Sequence, residues 1–447
     1  MIYSEQIIES LTSRLNHESF DAYEIYLANN DSLVVEARDG HVESFSRANT
    51  CGVAVRVLKN ERIALSSSTD FSKAAIDCLV KNLSDYIKHV SPSAEAVIPQ
   101  PQGEYTVLDE KQTRSLRKIP DFEKIAVALA LEREAKAVDF RIKRVRQPLY
   151  EETIRQISIV NSFGIAQSFE RGIALCEVRA VAQDKETCET GWDFSFSPCF
   201  EKLDYVAVAK RATQRALAML GAKPLPSGSY DVVFDCRATA NLLQLLTPSF
   251  FATNIQRKKS ALIGKKGQLA YSPLVTIIDD GIMPDGYSTY LFDDEGLPRQ
   301  KNFLVKKGQV VDWLYDAARA KRDNRKSTGN SFRASLHSPP TVDVTNCYLK
   351  KGELDLEVLY QAAQNGFLIT DMMGLHTANV ITGDFSLAVE GFAIAQGKIG
   401  RPVRGVIISG NVHDLFQRVE GVANNLKFQA TFGAPAIFVP RVQVGGG

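Results

Sequence analysis

A chain of 447 residues is too long for one ordinary hydrophobic core, and 45% apolar against 23% charged residues is the balance of a folded globular protein. The 53 basic and 52 acidic residues leave a net charge of +1, which argues against the bulk positive field that draws proteins onto nucleic acid or anionic membranes. No apolar run reaches the roughly 18 to 20 residues that span a bilayer, so no membrane helix is predicted.

The first 17 residues place acids in their opening turns and Ile7, Ile8, Leu11 and Leu15 on one side. That pattern predicts an amphipathic helix rather than an export signal, and a cytoplasmic protein. Residues 24–68 alternate apolar and polar side chains around Asp39-Gly40 and Lys59-Asn60-Glu61, which predicts an antiparallel meander. Ser72 then caps a helix with the stripe Ala75, Ile76, Leu79, Val80 and Leu83. The Pro-rich stretch 91–105 has neither period and is predicted to be a surface linker.

A second helix begins near Asp121, with Phe122, Ile125, Ala126 and Leu129 on its predicted inner face, and strands resume from Glu152. Residues 163–181, FGIAQSFERGIALCEVRAV, parallel residues 39–57, DGHVESFSRANTCGVAVRV: a glycine turn precedes a Ser-Phe-x-Arg strand in both. A match this short, which needs a one-residue slip, fits an internal duplication or chance. Asp204 opens another helix, carried by Val208, Ala209, Ala212, Ala216 and Leu220 and closed at Gly221. The Gly and Pro residues of 221–228 mark the boundary between an N-terminal α+β domain (1–222) and a C-terminal domain (228–447). The latter is dominated by short strands and turns, with helices at 238–246 and 353–365. The fold class is therefore α+β, mainly antiparallel sheets with flanking helices.

Seven cysteines lie scattered with no Cys-x-x-Cys pair, so reduced and mostly buried thiols are expected. None of the six histidines has another histidine or a cysteine within five positions, and Gly-x-Ser-x-Gly and Walker A motifs are absent. Asp279-Asp280 and Asp293-Asp294-Glu295 could gather carboxylates around a cation, although Asp before Gly equally suits a turn. Basic runs at 141–146 and 318–326 lack interleaved aromatics and read as solvated faces. The densest polar and glycine cluster is 374–399, where His376, Thr377, Asn379, Thr382, Gly383, Asp384 and Ser386 have the look of a cleft wall.

Several segments together resemble the TldD/PmbA family, once described as modulators of DNA gyrase. The resemblance is carried by VVFDCRATANLLQLLTPSF, FDDEGLPRQ, YDAARAKR with STGNSFR, NVITGDFSLAVEGFAIAQGKIGRPVRGVIISGN and the terminal PRVQVGGG, in that order. In the TldD branch, the helix after a Val-Val-Leu-type strand carries a His-Glu-x-x-x-His metal motif. Here Gln244, Leu245 and Ser249 stand at those three positions, so the chain resembles the PmbA/TldE branch. The resemblance implies a non-catalytic subunit that binds no metal itself and pairs with a zinc-bearing TldD-like metallopeptidase to process flexible peptides. Homodimers and heterodimers both remain open. It also implies a peptide-binding cleft at His376, Asn379, Thr382, Gly383, Asp384 and Ser386. Two alternatives stand beside it: an independent hydrolase assembled from Asp293, Glu295, His376 and Asp384, and a regulator that binds gyrase or nucleic acid.

Overall fold

The computed structural model describes residues 2–107 and 116–446. Helix α1 (Ile2–His17) leads into β1 (Ala22–Arg38), β2 (His41–Lys59) and β3 (Arg62–Ser68), followed by α2 (Lys73–Tyr86). The same order then recurs as α3 (Asp121–Val138), β4 (Ile142–Asn161), β5 (Ala166–Asp184), β6 (Thr187–Ser197) and α4 (Tyr205–Ala218). The two meanders join through antiparallel β1 and β4 into a six-stranded sheet ordered β3-β2-β1-β4-β5-β6. The second unit repeats the first in element order, and the Ser-Phe-x-Arg match falls on β2 and β5, the middle strands of the two meanders, but one residue out of step: Phe45 and Arg47 lie on the helix-covered face and Phe169 and Arg171 on the opposite one.

Local chemistry accounts for these elements. Asp39 and Gly40 both take positive φ, 50° and 78°, the geometry of a two-residue turn whose twist suits a hairpin. Ser72 accepts a hydrogen bond from the Ala75 N–H at the start of α2, and Asp204 accepts one from Ala207 at the start of α4. Gly191 lets α4 lie directly on β6, since a Cβ there would stand 2.2 Å from the Ala212 carbonyl oxygen.

One predicted face is only half right: Ile125 and Leu129 pack partly buried against the core, but Phe122 and Ala126 are exposed. In α3 the buried side chains are Lys124, Val127, Ala128, Ala130, Leu131, Glu132 and Ala135, whereas Phe122 is 69% exposed. Two charged residues turn inward because each finds a partner. Lys124 Nζ donates to Glu152 at 2.6 Å, and the Glu132 carboxylate accepts the Asp39 and Gly40 N–H groups at 2.9 Å each. The cysteines are free, but only Cys176, Cys236 and Cys347 are buried, while Cys78 and Cys188 are exposed.

Strand alternation gives the N-terminal sheet two different faces. Ile25, Leu27, Val53 and Val55 pack on α1 and α2, and Tyr150, Ile154, Ala174 and Cys176 pack on α3 and α4. The opposite face, with Tyr26, Ala54, Ile157, Ile159 and Phe169, meets Phe292, Leu297 and Ala317. The C-terminal half begins with β7 (Gly228–Phe234), capped helix α5 (Cys236–Leu246), and later β8 (Phe367–Met373), β9 (Asp384–Ala395), β10 (Lys398–Asn411) and β11 (Ile437–Gly445). These strands are ordered β10-β9-β8-β7-β11, and β10 pairs again with β11, closing the sheet on itself. A second six-stranded sheet runs through residues 277–280, 301–306 and 347–349.

Residues 91–105 form neither helix nor strand, yet they are strapped down. Ala96 and Ile98 are buried, Glu95 pairs with Arg319 and Arg322, and the Tyr105 hydroxyl donates to the Gly296 carbonyl at 2.8 Å. The basic run 318–326 pairs in part with this strap and with Asp312, while residues 321–326 stay exposed to solvent. Among the described residues no helix is long and apolar enough to cross a membrane.

Three carboxylates set a pH dependence. Burial pushes Asp235 and Asp316 up to about 6, and burial with the neighbouring Glu295 charge pushes Asp293 higher still. Unfolded, each releases its proton near pH 4. Between those values the folded chain binds more protons than the unfolded one, so stability falls as pH rises from about 4 through 6 and beyond. Asp316 also caps the helix Ala317–Arg322 by accepting from the Arg319 N–H at 2.7 Å. Asparagine would keep that cap without the charge. Urea midpoints taken between pH 5 and 8 should decline for the native chain and decline less for Asp316→Asn; an unchanged slope would refute the assignment.

Candidate functional site

A cavity of about 980 Å³ opens between the N-terminal sheet and the C-terminal half. One wall is the sheet itself, where Glu151, Thr153 and Arg155 on β4 stand opposite Leu175, Ile173 and Arg171 on β5. The C-terminal end of α5 supplies a second wall through Gln244, Leu245, Thr247 and Pro248. Aromatic and apolar side chains complete the lining, among them Phe251, Tyr287, Tyr290 and Phe432. The volume lies at the upper end of ordinary ligand pockets, and its mostly apolar lining with a few charges suits a peptide-sized ligand.

The three metal-motif positions do not converge. Gln244 is exposed and lines the cavity beside Leu245, but α5 stops at Leu246, and Pro248 directs the chain into a short 3-10 turn from Thr247 to Phe250. Ser249 is only 2% exposed and turns inward, with its Oγ 3.3 Å from His413 Nε2. Tyr271 contacts the other ring nitrogen, Nδ1, at 2.9 Å. This Ser-His-Tyr chain has the order of a nucleophile, a base and an orienting group, but it is buried and none of its members lines the cavity. An amide, an alkyl side chain and a sealed hydroxyl do not fit a zinc ion, which takes imidazole, thiolate or carboxylate. Among the described residues no group of three or more His, Cys, Asp or Glu side chains is arranged to hold a metal.

The polar cluster divides. His376, on a short turn after Gly374, is exposed and lines the cavity. Asn379 Oδ1 accepts from the Ile381 and Thr382 N–H groups, Thr382 Oγ1 donates to Asp384 at 2.6 Å, and Asn411 Nδ2 donates to Asp384 at 2.8 Å. These three bond chiefly one another and β10, and they hold the loop. The hydrogen bonds from Thr382 and Asn411 hold the Asp384 carboxyl below its usual range. Gly383 takes φ 85° with a neighbour so close that a Cβ would stand 2.8 Å from the His413 ring. Ser386 is exposed on β9 outside the cavity lining.

The acidic runs are structural. Asp293 accepts the Glu295, Leu297 and Ser331 N–H groups at 3.0 Å each, and Asp279 accepts the Thr345 N–H and an Asn330 amide. Glu295 bonds Arg56 and the Ala317 N–H. Asp293, Glu295 and Asp384 do not line the cavity that His376 faces, so the four residues of the hydrolase alternative do not share it. The basic run 141–146 borders a separate surface cleft that also carries Glu36, Asp39 and Glu43. Sequence reasoning missed Glu151, Arg155 and Arg171, because strand alternation alone does not reveal which outer face meets a second domain.

Comparison with known proteins places these features in context. The chain matches PmbA/TldA metallopeptidase domain 1 over residues 23–85, the central domain over 114–220 and the C-terminal domain over 227–446. A Metalloprotease TldD homolog of Haemophilus influenzae is 26% identical, with 99% of this chain and 96% of that protein covered. Metalloprotease PmbA of Escherichia coli O157:H7 is 22% identical, over 95% and 92%. A metalloprotease of Methanothermobacter thermautotrophicus reaches 30% identity over 65% and 67%. Among solved structures, a candidate modulator of DNA gyrase from Thermotoga maritima superposes with a TM-score of 0.91 at 24% identity, covering 99% of this chain and 100% of that one. TldE from Thermococcus kodakarensis gives 0.88 at 21% identity, covering 98% and 100%.

Proposed function

Because the chain belongs to the PmbA/TldD metallopeptidase family, matched through all three of its domains, we propose that it is the non-cutting, PmbA/TldE-like subunit of a two-subunit peptidase. The observation that carries this reading is the state of α5. Gln244 and Leu245 reach the cavity where a metal-binding relative would present histidine and glutamate, and Ser249 is turned away into the core. The cavity itself persists at peptide size. A wall without a metal suits a subunit that encloses and positions a flexible peptide while a TldD-like partner, carrying zinc on a His-Glu-x-x-x-His helix, cleaves it.

Co-purification from the native organism tests this. A His-Glu-x-x-x-His protein should arrive in one-to-one ratio, and the pair should degrade unfolded casein until a chelator is added. The chain alone should carry no stoichiometric zinc and leave casein intact. Chelator-sensitive cleavage by the isolated chain would overturn the proposal.

A further inference from the structure

The sheet wall of the cavity holds an arrangement that strands ordinarily avoid. Arg155 on β4 and Arg171 on β5 are register partners, directly opposite each other on the face that lines the cavity. Side chains so placed start roughly 5 Å apart at Cβ, and like charges there repel. Neither arginine is matched by a full carboxylate partner. Arg171 is 6% exposed, and its Nη2 donates to the carbonyl oxygens of Gly286 at 2.7 Å and Pro284 at 3.4 Å. Its Nε is buried without a hydrogen-bond partner, and among the described residues it forms no salt bridge. Arg155 donates one bond, from Nη2 to the Tyr26 hydroxyl at 2.6 Å, and stands 3.8 Å from Asp294.

Another arginine of the same sheet shows what such a guanidinium binds. Arg47, from the Ser-Phe-x-Arg segment of β2, grips both carboxylate oxygens of Asp121, through Nη2 at 2.8 Å and Nη1 at 3.3 Å. Arg171 ends the same four-residue segment on β5 but projects from the opposite face of the sheet, away from the helices and into the cavity, where no aspartate meets it in this way. Tyr287, Tyr290 and Ile173 stand near enough to line the same space, and the nearest acid on this wall, Glu151, lies four residues along β4 from Arg155, about 13 Å by strand rise.

We propose that Arg155 and Arg171 form a subsite for a peptide carboxylate, with the neighbouring tyrosines receiving the adjoining apolar side chain. Planar guanidiniums bind carboxylates through paired, charge-assisted bonds, and one carboxylate between the two arginines would relieve their repulsion. The peptide as ligand class rests on the function proposed above. The carboxylate preference is a property of this chain alone, so it can fail while the paired-subunit reading stands, and the reverse.

The test is fluorescence anisotropy with the full chain and three labelled hexapeptides ending in phenylalanine: the free acid, the amide, and an amide with aspartate next to the end. A carboxylate-bearing peptide should bind at least about tenfold more tightly than the plain amide, and whichever one does so identifies a terminal or a side-chain carboxylate as the ligand. In Arg171→Gln that preference should shrink to within about twofold, and Arg171→Lys, which keeps the charge and loses the fork, should fall between. Arg171→Gln loses a repelling charge but also the bond to the Gly286 carbonyl, so its midpoint need not match the native one, and a single cooperative urea transition confirms folding. Equal binding of all three peptides, binding of none, or an undiminished preference in Arg171→Gln would overturn the subsite.

Discussion

Replacing Glu24 with alanine is expected to destabilise the protein by about 3 to 5 kcal/mol, the cost of stranding buried cations. Glu24 is fully buried on β1 and bonds Arg56 of β2 and Arg333 of the C-terminal half. Arg56 also donates to Glu295 at 3.0 Å, and Arg333 donates its backbone N–H to Asp294 at 2.7 Å. Burial opposes ionisation of Glu24, but the combined charges and hydrogen bonds of Arg56 and Arg333 outweigh it and hold its carboxyl below the usual range. A depressed carboxylate contributes stability above its unfolded value, near pH 4.5, and that contribution is lost as pH falls through the folded value. Its effect therefore lies below the window in which Asp235 and Asp316 act. Urea unfolding at pH 7 measures the loss. As a control, Arg47→Ala breaks a pair in which both side chains are more than 40% exposed, and it should cost less than about 1 kcal/mol. Equal losses in the two variants would show that the buried network does not hold the halves together.

That network explains where sequence reading succeeded and where it stopped. The meander, the Ser72 and Asp204 caps and the stripe of α4 were legible because each depends on residues a few positions apart, whose spacing encodes the contact. The inner face of α3 was partly misread because Lys124 and Glu132 are charged, and only partners at Glu152 and at the Asp39-Gly40 turn make their burial tolerable. Asp293 and Glu295 looked like a site for the same reason in reverse. Nothing local shows that their oxygens are taken up by backbone N–H groups and by Arg56. The identities of Gln244, Leu245 and Ser249 on and after α5 could be read directly, because they need no three-dimensional information. The cavity was not, since its lining is drawn from residues between 151 and 432 that only the packing of the two halves assembles.

Writing the missing motif back into α5 should therefore fail. The variant Gln244→His, Leu245→Glu, Ser249→His supplies three zinc-binding side chains in the family's spacing, yet spacing is productive only if all three reach one point. Gln244 and Leu245 face the cavity, whereas Ser249 lies past the end of the helix, buried against His413 and accepting a hydrogen bond from Ser260 at its carbonyl oxygen. An imidazole there would need room that the buried Phe250, Leu246 and His413 surroundings do not leave open, and overpacking of that kind costs about 1 to 3 kcal/mol. The expected result is a less stable protein without stoichiometric zinc, and Ser249→His alone should account for most of the destabilisation. Metal analysis after dialysis, with urea midpoints for the single and triple variants, decides it. One zinc per chain with an undiminished midpoint would mean that position 249 can turn to the cavity, and that three side chains, rather than the backbone that carries them, decide whether this helix can hold a metal.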